Sequence, residues 1–274
     1  MRSIGFDLDM TLVDSADGIV ASVQYVVAQY GVEADGAEIR STIGLPLDHV
    51  FPRWLPDEPY DVLLAAYRAH YRENGIPLTR AMPGAAEAIA TVRERGDRVL
   101  VVTAKYGAVA DLALQAAGLD ADEVVGDLFA EGKASALREH DAWAYVGDHP
   151  GDVRAARTAG VHSIVVATGP TSLEELHAVG PDVVLPDLTH LPDWLARASR
   201  RRRERADPAS PMNTRARPTP VIIDRNHHAE GSSSPGTTSG SMAMTVQMRP
   251  MTVTTAPIRR SRSPVEPADA MAPP

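Results

Sequence analysis

The chain of 274 residues contains no cysteine, which excludes disulfides and thiolate metal sites outright. It has no run of 18 apolar residues, so no membrane-spanning helix is expected. Near the N-terminus, Asp7 and Asp9 stand directly behind a short apolar stretch, which is not the pattern of a secretory signal. These absences fit a cytoplasmic protein. Lysine is missing from residues 15–77 and again from residues 199–274.

The net charge of −9 conceals an asymmetry. Residues 199–274 hold 12 Arg against 6 acids, a balance of +6, which leaves residues 1–198 with 15 basic and 30 acidic groups, a balance of −15. A globular part that acidic is a poor candidate for binding nucleic acid. Hydrophobic residues make up 44% of the chain, ample for a core.

From Met1 to about Arg197, short β-branched apolar runs alternate with Ala-rich amphipathic segments. Strands are expected over Ser3–Leu8, Arg98–Thr103, Glu123–Gly126, Trp143–Gly147, His162–Val166 and Asp182–Leu185. Helices are expected over Gly84–Arg95, Val109–Ala117, Lys133–Glu139, Val153–Ala159 and Leu173–Ala178. Alternation of this kind gives an α/β fold, a doubly wound parallel sheet with helices on both faces. Ligands of such sheets bind beyond the carboxyl ends of the strands.

The alternation breaks once, after the first strand. Asp17–Tyr30, Ala37–Thr42 and Tyr60–Asn74 read as helices with no strand between them. The expected division is a core of residues 1–14 and 78–198 with an inserted α-helical cap domain over 15–77. From about Ser199 the chain is rich in Arg, Pro, Ser, Thr and Gly without period, and residues 199–274 read as a disordered tail.

Four signals carry chemistry. Asp7 and Asp9, with Thr11, follow the first strand, and two neighbouring acids beside a cation can supply the nucleophile, proton shuttle and charge neutralisation of phosphoryl transfer. An acidic strand-to-loop turn is the competing reading. Thr103 ends the Arg98–Thr103 strand, where its hydroxyl and the following N–H groups can bind phosphate oxygens. Lys133 opens a helix against the dipole, at a cost of ~0.3–1 kcal/mol, as a residue holding an anion would, with a solvated lysine the competing reading. Asp148 and Asp152 follow Gly147 at a spacing that puts both on one helix face, where a hard cation such as Mg²⁺ finds carboxylate oxygens. An ordinary helix N-cap at Asp148 is the alternative there, and His149 beside the pair reads as a bystander.

The order acid pair, hydroxyl, lysine, acid pair resembles the haloacid dehalogenase superfamily. Here its motifs stand as Asp7-Leu8-Asp9-Met10-Thr11, Thr103, Lys133 and Gly147-Asp148-His149-Pro150-Gly151-Asp152. The resemblance covers about residues 1–195, and a helical cap between the first two motifs is similar to the phosphoglycolate-phosphatase-like branch. Met10 departs from it, since the family usually has Gly there.

The resemblance implies a Mg²⁺-dependent phosphatase acting on a small phosphorylated metabolite, as a monomer or homodimer without membrane or nucleic-acid partners. Asp7 is then the nucleophile and Asp9 the acid and base. Thr103 and Lys133 hold the phosphoryl oxygens. Mg²⁺ is held by Asp7, by the main-chain carbonyl of Asp9 and by Asp148, with Asp152 either a direct ligand or one step behind. Family mutases carry an Arg after the glycine of the segment Ser41–Leu47, where this chain has Leu47, which lowers the phosphomutase alternative. Asp9 argues against a carbon–halogen hydrolase, and a cap without lysine argues against a phosphonate hydrolase. A non-catalytic binding protein on the same fold is a further alternative. Arg40, Arg53 and Lys105 are candidate substrate contacts, with a solvated surface charge the competing reading for each.

Overall fold

The computed structural model describes residues 1–206. Its strands are β1 Ser3–Phe6, β2 Val13–Asp14, β3 Arg80–Ala81, β4 Arg98–Val102, β5 Glu123–Val125, β6 Ala142–Gly147, β7 His162–Val166 and β8 Val183–Leu185. Its α-helices are α1 Ala16–Ala28, α2 Gly36–Arg40, α3 Leu47–Val50, α4 Tyr60–His70, α5 Ala85–Glu94, α6 Gly107–Ala116, α7 Lys133–Glu139, α8 Pro150–Ala159, α9 Leu173–Ala178 and α10 Leu191–Ala206. No helix among the described residues is long and apolar enough to cross a membrane.

Six strands form one parallel sheet in the order β5-β4-β1-β6-β7-β8. Period-two alternation divides the buried residues between its faces. Ile4, Phe6, Val99, Val101, Ala144 and Val146 point to the face covered by α5, α6 and α10. Leu100, Val102 and Tyr145 point to the face covered by α7 and α8, and Val165 meets α8 and α9 there. The sheet order reverses around β1, which brings the carboxyl ends of β1, β4 and β6 side by side. This is where a doubly wound sheet opens a ligand crevice.

The segment between β2 and β3 is an all-helical insertion with its own apolar cluster. Val23, Val26, Val27, Ile39, Phe51, Leu63 and Tyr67 fill it, and Val109 of α6 packs into it from the core. An antiparallel ribbon, which the sequence pattern did not foresee, closes the insertion's base by pairing Val13 with Ala81 and Asp14 with Arg80. The helix expected over Tyr60–Asn74 is divided into α4 and a π-helical turn, Tyr71–Gly75. The short α3 also escaped the sequence reading.

The expectation of a structureless tail from Ser199 fails over its first residues, because α10 continues to Ala206. Leu191 and Leu195 of α10 are fully buried in the main core, and Trp194 stacks on Trp143 with ring centroids 6.1 Å apart. The Arg95 guanidinium donates to the Leu195 carbonyl at 3.0 Å. Once docked, the helix propagates readily through arginine, a good helix former. The rest of the expected tail, residues 207–274, lies outside the described residues. Leu195→Ala should destabilise the fold by about 2–5 kcal/mol, the usual cost of truncating a buried leucine. Urea denaturation checks this, and a loss below about 1 kcal/mol would show α10 to be dispensable.

Candidate active site

Asp7 follows β1 directly, and its backbone N–H donates to the Val146 carbonyl of β6 at 2.8 Å. The chain then turns tightly, with the Leu8 carbonyl accepting from Leu12 and Val13 at 2.9 and 3.0 Å. The turn sends Asp7 and Thr11 toward Asp148 and Asp9 away from it. Asp7 is buried beside Asp148 and Asp152, and one carboxylate oxygen from each of the three lies within 4.8 Å of the others.

Lys133, its side chain 4% exposed, reaches into this cluster from the start of α7. Its Nζ donates to Asp7 Oδ1 at 3.0 Å, Asp152 Oδ1 at 2.7 Å and the Tyr145 hydroxyl at 2.9 Å. Tyr145 in turn donates to the Val102 carbonyl at 2.6 Å. Burial pulls the lysine toward its neutral form, but Asp152 and Asp7 outweigh it and hold its pKa above the ordinary value. Burial pushes Asp7 the other way, up to about 7, with Lys133 opposing and Asp152 adding to the rise. Asp148 is raised well above the usual carboxylate range by burial and then by Asp7 and Asp152.

The acids differ in what binds them. Asp148 Oδ1 accepts from Thr11 Oγ1 at 2.7 Å, while its Oδ2 is buried without a partner. Both Asp152 oxygens are committed, Oδ1 to Lys133 and Oδ2 to the His149 N–H at 3.1 Å. An orphaned buried carboxylate oxygen costs at least 1–3 kcal/mol, and a set of carboxylates alone suits a hard divalent cation. The residues therefore fit Mg²⁺, with Asp7, Asp148 and Asp152 each offering a carboxylate oxygen and Asp152 also positioning the lysine. Two glycines make room for these carboxylates. A Cβ at Gly147 would lie 2.2 Å from Asp152 Oδ2, and one at Gly169 would lie 1.9 Å from Asp148 Oδ2.

Asp9 stands outside the carboxylate cluster. Its Oδ1 accepts from Ser15 Oγ at 2.5 Å and lies 3.1 Å from Lys105 Nζ. Lys105 is only 8% exposed along its side chain and sits 4.1 Å from the centre of the Tyr71 ring, which belongs to the insertion. Burial lowers its pKa, but Asp9, and then Tyr71 and Tyr67, raise it above the ordinary value. Asp7, Asp9, Thr103 and Lys133 all line one cavity of about 300 Å³, roofed by residues of α1, α4 and the segment between α2 and α3.

Residues 4–166, more than half of the chain, match the family model described as haloacid dehalogenase-like hydrolase. The chain belongs to that family. It is 34% identical over 200 residues to a Dickeya dadantii protein named "Probable phosphatase IndB", covering 66% of this chain and 87% of that one. It is 30% identical over 219 residues to a phosphoglycolate phosphatase of Rhodospirillum rubrum, covering 71% and 90%. A haloacid dehalogenase-like hydrolase structure from Streptococcus pneumoniae superposes with a TM-score of 0.65 at 23% identity, over 71% of this chain and 98% of that one.

Within this hydrolase frame, Met10 has a φ of 62°. The left-handed region costs a residue with a Cβ about 1–2 kcal/mol. Its N–H donates to Val13 and its carbonyl accepts from Thr168 Oγ1 at 2.5 Å, and these bonds hold the turn. Thr103 is buried at the end of β4, where its Oγ1 accepts from the Lys105 N–H at 3.2 Å. His149 is the N-cap of α8, with Nδ1 accepting from the Gly151 N–H at 3.0 Å, and burial lowers its pKa.

The candidate substrate cations fare differently. Lys105 belongs to the site as the partner of Asp9. Arg40 pairs with Asp17 on the surface, and Arg53 is exposed away from the cavity. Sequence reasoning missed Ser15, Tyr145 and Tyr71, which carry no motif and become visible only when strands and insertion meet.

Raised carboxylate pKa values mean that the folded state holds protons more tightly than the unfolded chain. Stability of the metal-free protein should therefore fall as pH rises from about 4, the unfolded value, through about 7 for Asp7. Mg²⁺ should raise the melting temperature of the wild type, and Asp148→Asn should flatten the pH slope and abolish that rise. Thermal melts across pH, with chelator and with Mg²⁺, check both. An unchanged Mg²⁺ response in the variant would remove Asp148 from the metal site.

Proposed function

We propose that this haloacid dehalogenase-like hydrolase is a Mg²⁺-dependent phosphatase that hydrolyses a small phosphomonoester through an aspartyl-phosphate on Asp7. The observation that carries the reading is the division of the first motif's two acids. Asp7 is bound to a buried lysine among carboxylates, whereas Asp9 is held apart by Ser15 and Lys105 in the same cavity. One acid is placed for nucleophilic attack and the other for proton transfer. The phosphatase and phosphoglycolate phosphatase relatives support the reaction class.

Asp7 attacks phosphorus while Asp9 gives its proton to the departing alkoxide. Asp9 then takes a proton from water, which attacks the acyl phosphate, releases inorganic phosphate and restores the Asp7 carboxylate. Lys133 keeps Asp7 oriented and offsets negative charge beside the transferring group, and Thr103 donates to a phosphoryl oxygen. Asp7, Asp148 and the main-chain carbonyl of Asp9 would hold Mg²⁺, which would add to that neutralisation. The helical insertion shields the acyl phosphate from bulk water.

Asp7→Asn should retain the fold and lose turnover of p-nitrophenyl phosphate by roughly 10⁴-fold or more, and excess EDTA should silence the wild type. A folded Asp7→Asn protein with wild-type kcat would overturn the mechanism, and would leave the binding-protein alternative or another nucleophile.

Lys105 acts through Asp9, so its loss should be felt where the leaving group needs a proton. Lys105→Met should lower kcat about tenfold or more on an alkyl phosphate, and far less on p-nitrophenyl phosphate, whose phenolate leaves unaided. Lys105→Arg should recover part of the loss. An equal effect on both esters would mean that Lys105 serves the fold rather than the acid.

A further inference from the structure

The chemistry of the cavity wall bears on what the phosphoryl group is attached to. Beyond the acids, Thr42, Thr103, His149 and three paired cations, the wall is apolar and aromatic. Tyr60, Leu64, Tyr67 and Tyr71 recur at helical spacing along α4 and its π-helical turn and face the cavity together. Ile43, Leu45 and Leu47, between α2 and the start of α3, line the opposite part of the roof. A cavity of about 300 Å³ is at the small end for a ligand site, enough for a phosphoryl group and a short or single-ring organic part.

Among the described residues, three lysines and arginines line this cavity, and each already has an anion. Lys133 is bound to Asp7 and Asp152. Lys105 is bound to Asp9. Arg68 lies 3.5 Å from Asp127 and stacks over the Tyr106 ring at 4.6 Å. A second anionic group on the substrate would therefore have to take a cation from its partner and leave that partner's charge facing it. Asp48 and Asp127, both on the wall, would repel it further. Burying an unmatched charge against apolar groups is the costliest arrangement available.

We infer that the substrate is the phosphate ester of an uncharged, largely apolar or aromatic alcohol, and that esters bearing a carboxylate or a second phosphate are poor substrates. This rests on the phosphatase reading above and narrows it. It also separates the chain from the activity named for its Rhodospirillum rubrum relative, whose substrate carries a carboxylate beside the phosphate.

The test compares kcat/KM of the full chain with Mg²⁺ on benzyl phosphate, phosphoglycolate and glucose 1,6-bisphosphate, with p-nitrophenyl phosphate as the reference ester. Benzyl phosphate should exceed the two polyanions by at least tenfold. Leu64→Arg, which adds a cation to the wall, should shrink that ratio by tenfold or more. A wild-type preference for phosphoglycolate or the bisphosphate overturns the inference and leaves the phosphatase reading standing. A folded, active Leu64→Arg enzyme with an unchanged ratio also overturns it. No turnover of any ester, p-nitrophenyl phosphate included, overturns both. The wild-type comparison decides by itself if the variant does not fold.

Discussion

The Lys133 ammonium sits between Asp7 and Asp152, with Asp148 completing the group, and little else in the site is independent of that contact. Three carboxylates and one ammonium carry two surplus negative charges when all are ionised. Burial makes that surplus expensive, which is why Asp7 and Asp148 are both pushed toward their protonated forms. A divalent cation cancels the same surplus and gives the orphaned Asp148 oxygen a partner. The cluster's charge is thus balanced either by protons on these carboxylates or by such a cation, and above their raised pKa values the metal-free protein carries the imbalance as lost stability.

Supporting such a cluster dictates features well away from it. The carboxylates need backbone nearby without side chains, which Gly147 and Gly169 provide. The lysine must stay extended through apolar packing, and the Tyr145 hydroxyl, anchored to the Val102 carbonyl, gives its ammonium a neutral third contact. The parallel sheet makes this possible because adjacent strand ends bring residues 126 and 137 positions apart in sequence within hydrogen-bonding distance. Stability in this region is surrendered to function, and the fully apolar layers on either side of the sheet offset it.

Legibility in the sequence followed the physics of each element. The strand over His162–Val166 and the helices over Lys133–Glu139 and Leu173–Ala178 were readable to the residue, because period and boundary coincide. Asp7, Thr103, Lys133 and Asp148 were readable as site residues because each stands at a strand end or opens a helix. The ribbon of β2 and β3 has two residues per strand, too few to show a period. The last helix was lost to its arginine run, whose composition resembles a solvated tail even though two leucines one turn apart dock its beginning. Lys105 was misjudged as a possible solvated charge for a different reason. Its partners, Asp9 and Tyr71, come from segments on either side of the insertion's first half, and no local pattern announces that they converge.

That convergence also explains how the two parts of the molecule share labour. The core supplies Asp7, Asp148, Asp152 and Lys133, all referenced to the sheet and shielded from what happens above it. Asp9 looks the other way, toward Ser15 at the base of α1 and toward Lys105, whose ammonium lies against the insertion's Tyr71 ring. A cation–π contact of this kind is strongest when dry, so the lysine is best held when the insertion is seated over the core. On the proposed mechanism, the acid that protonates the departing alcohol is thus tied to the same wall that would contact that alcohol. The proposed nucleophile, Asp7, is referenced instead to the sheet and to Lys133 at the start of α7.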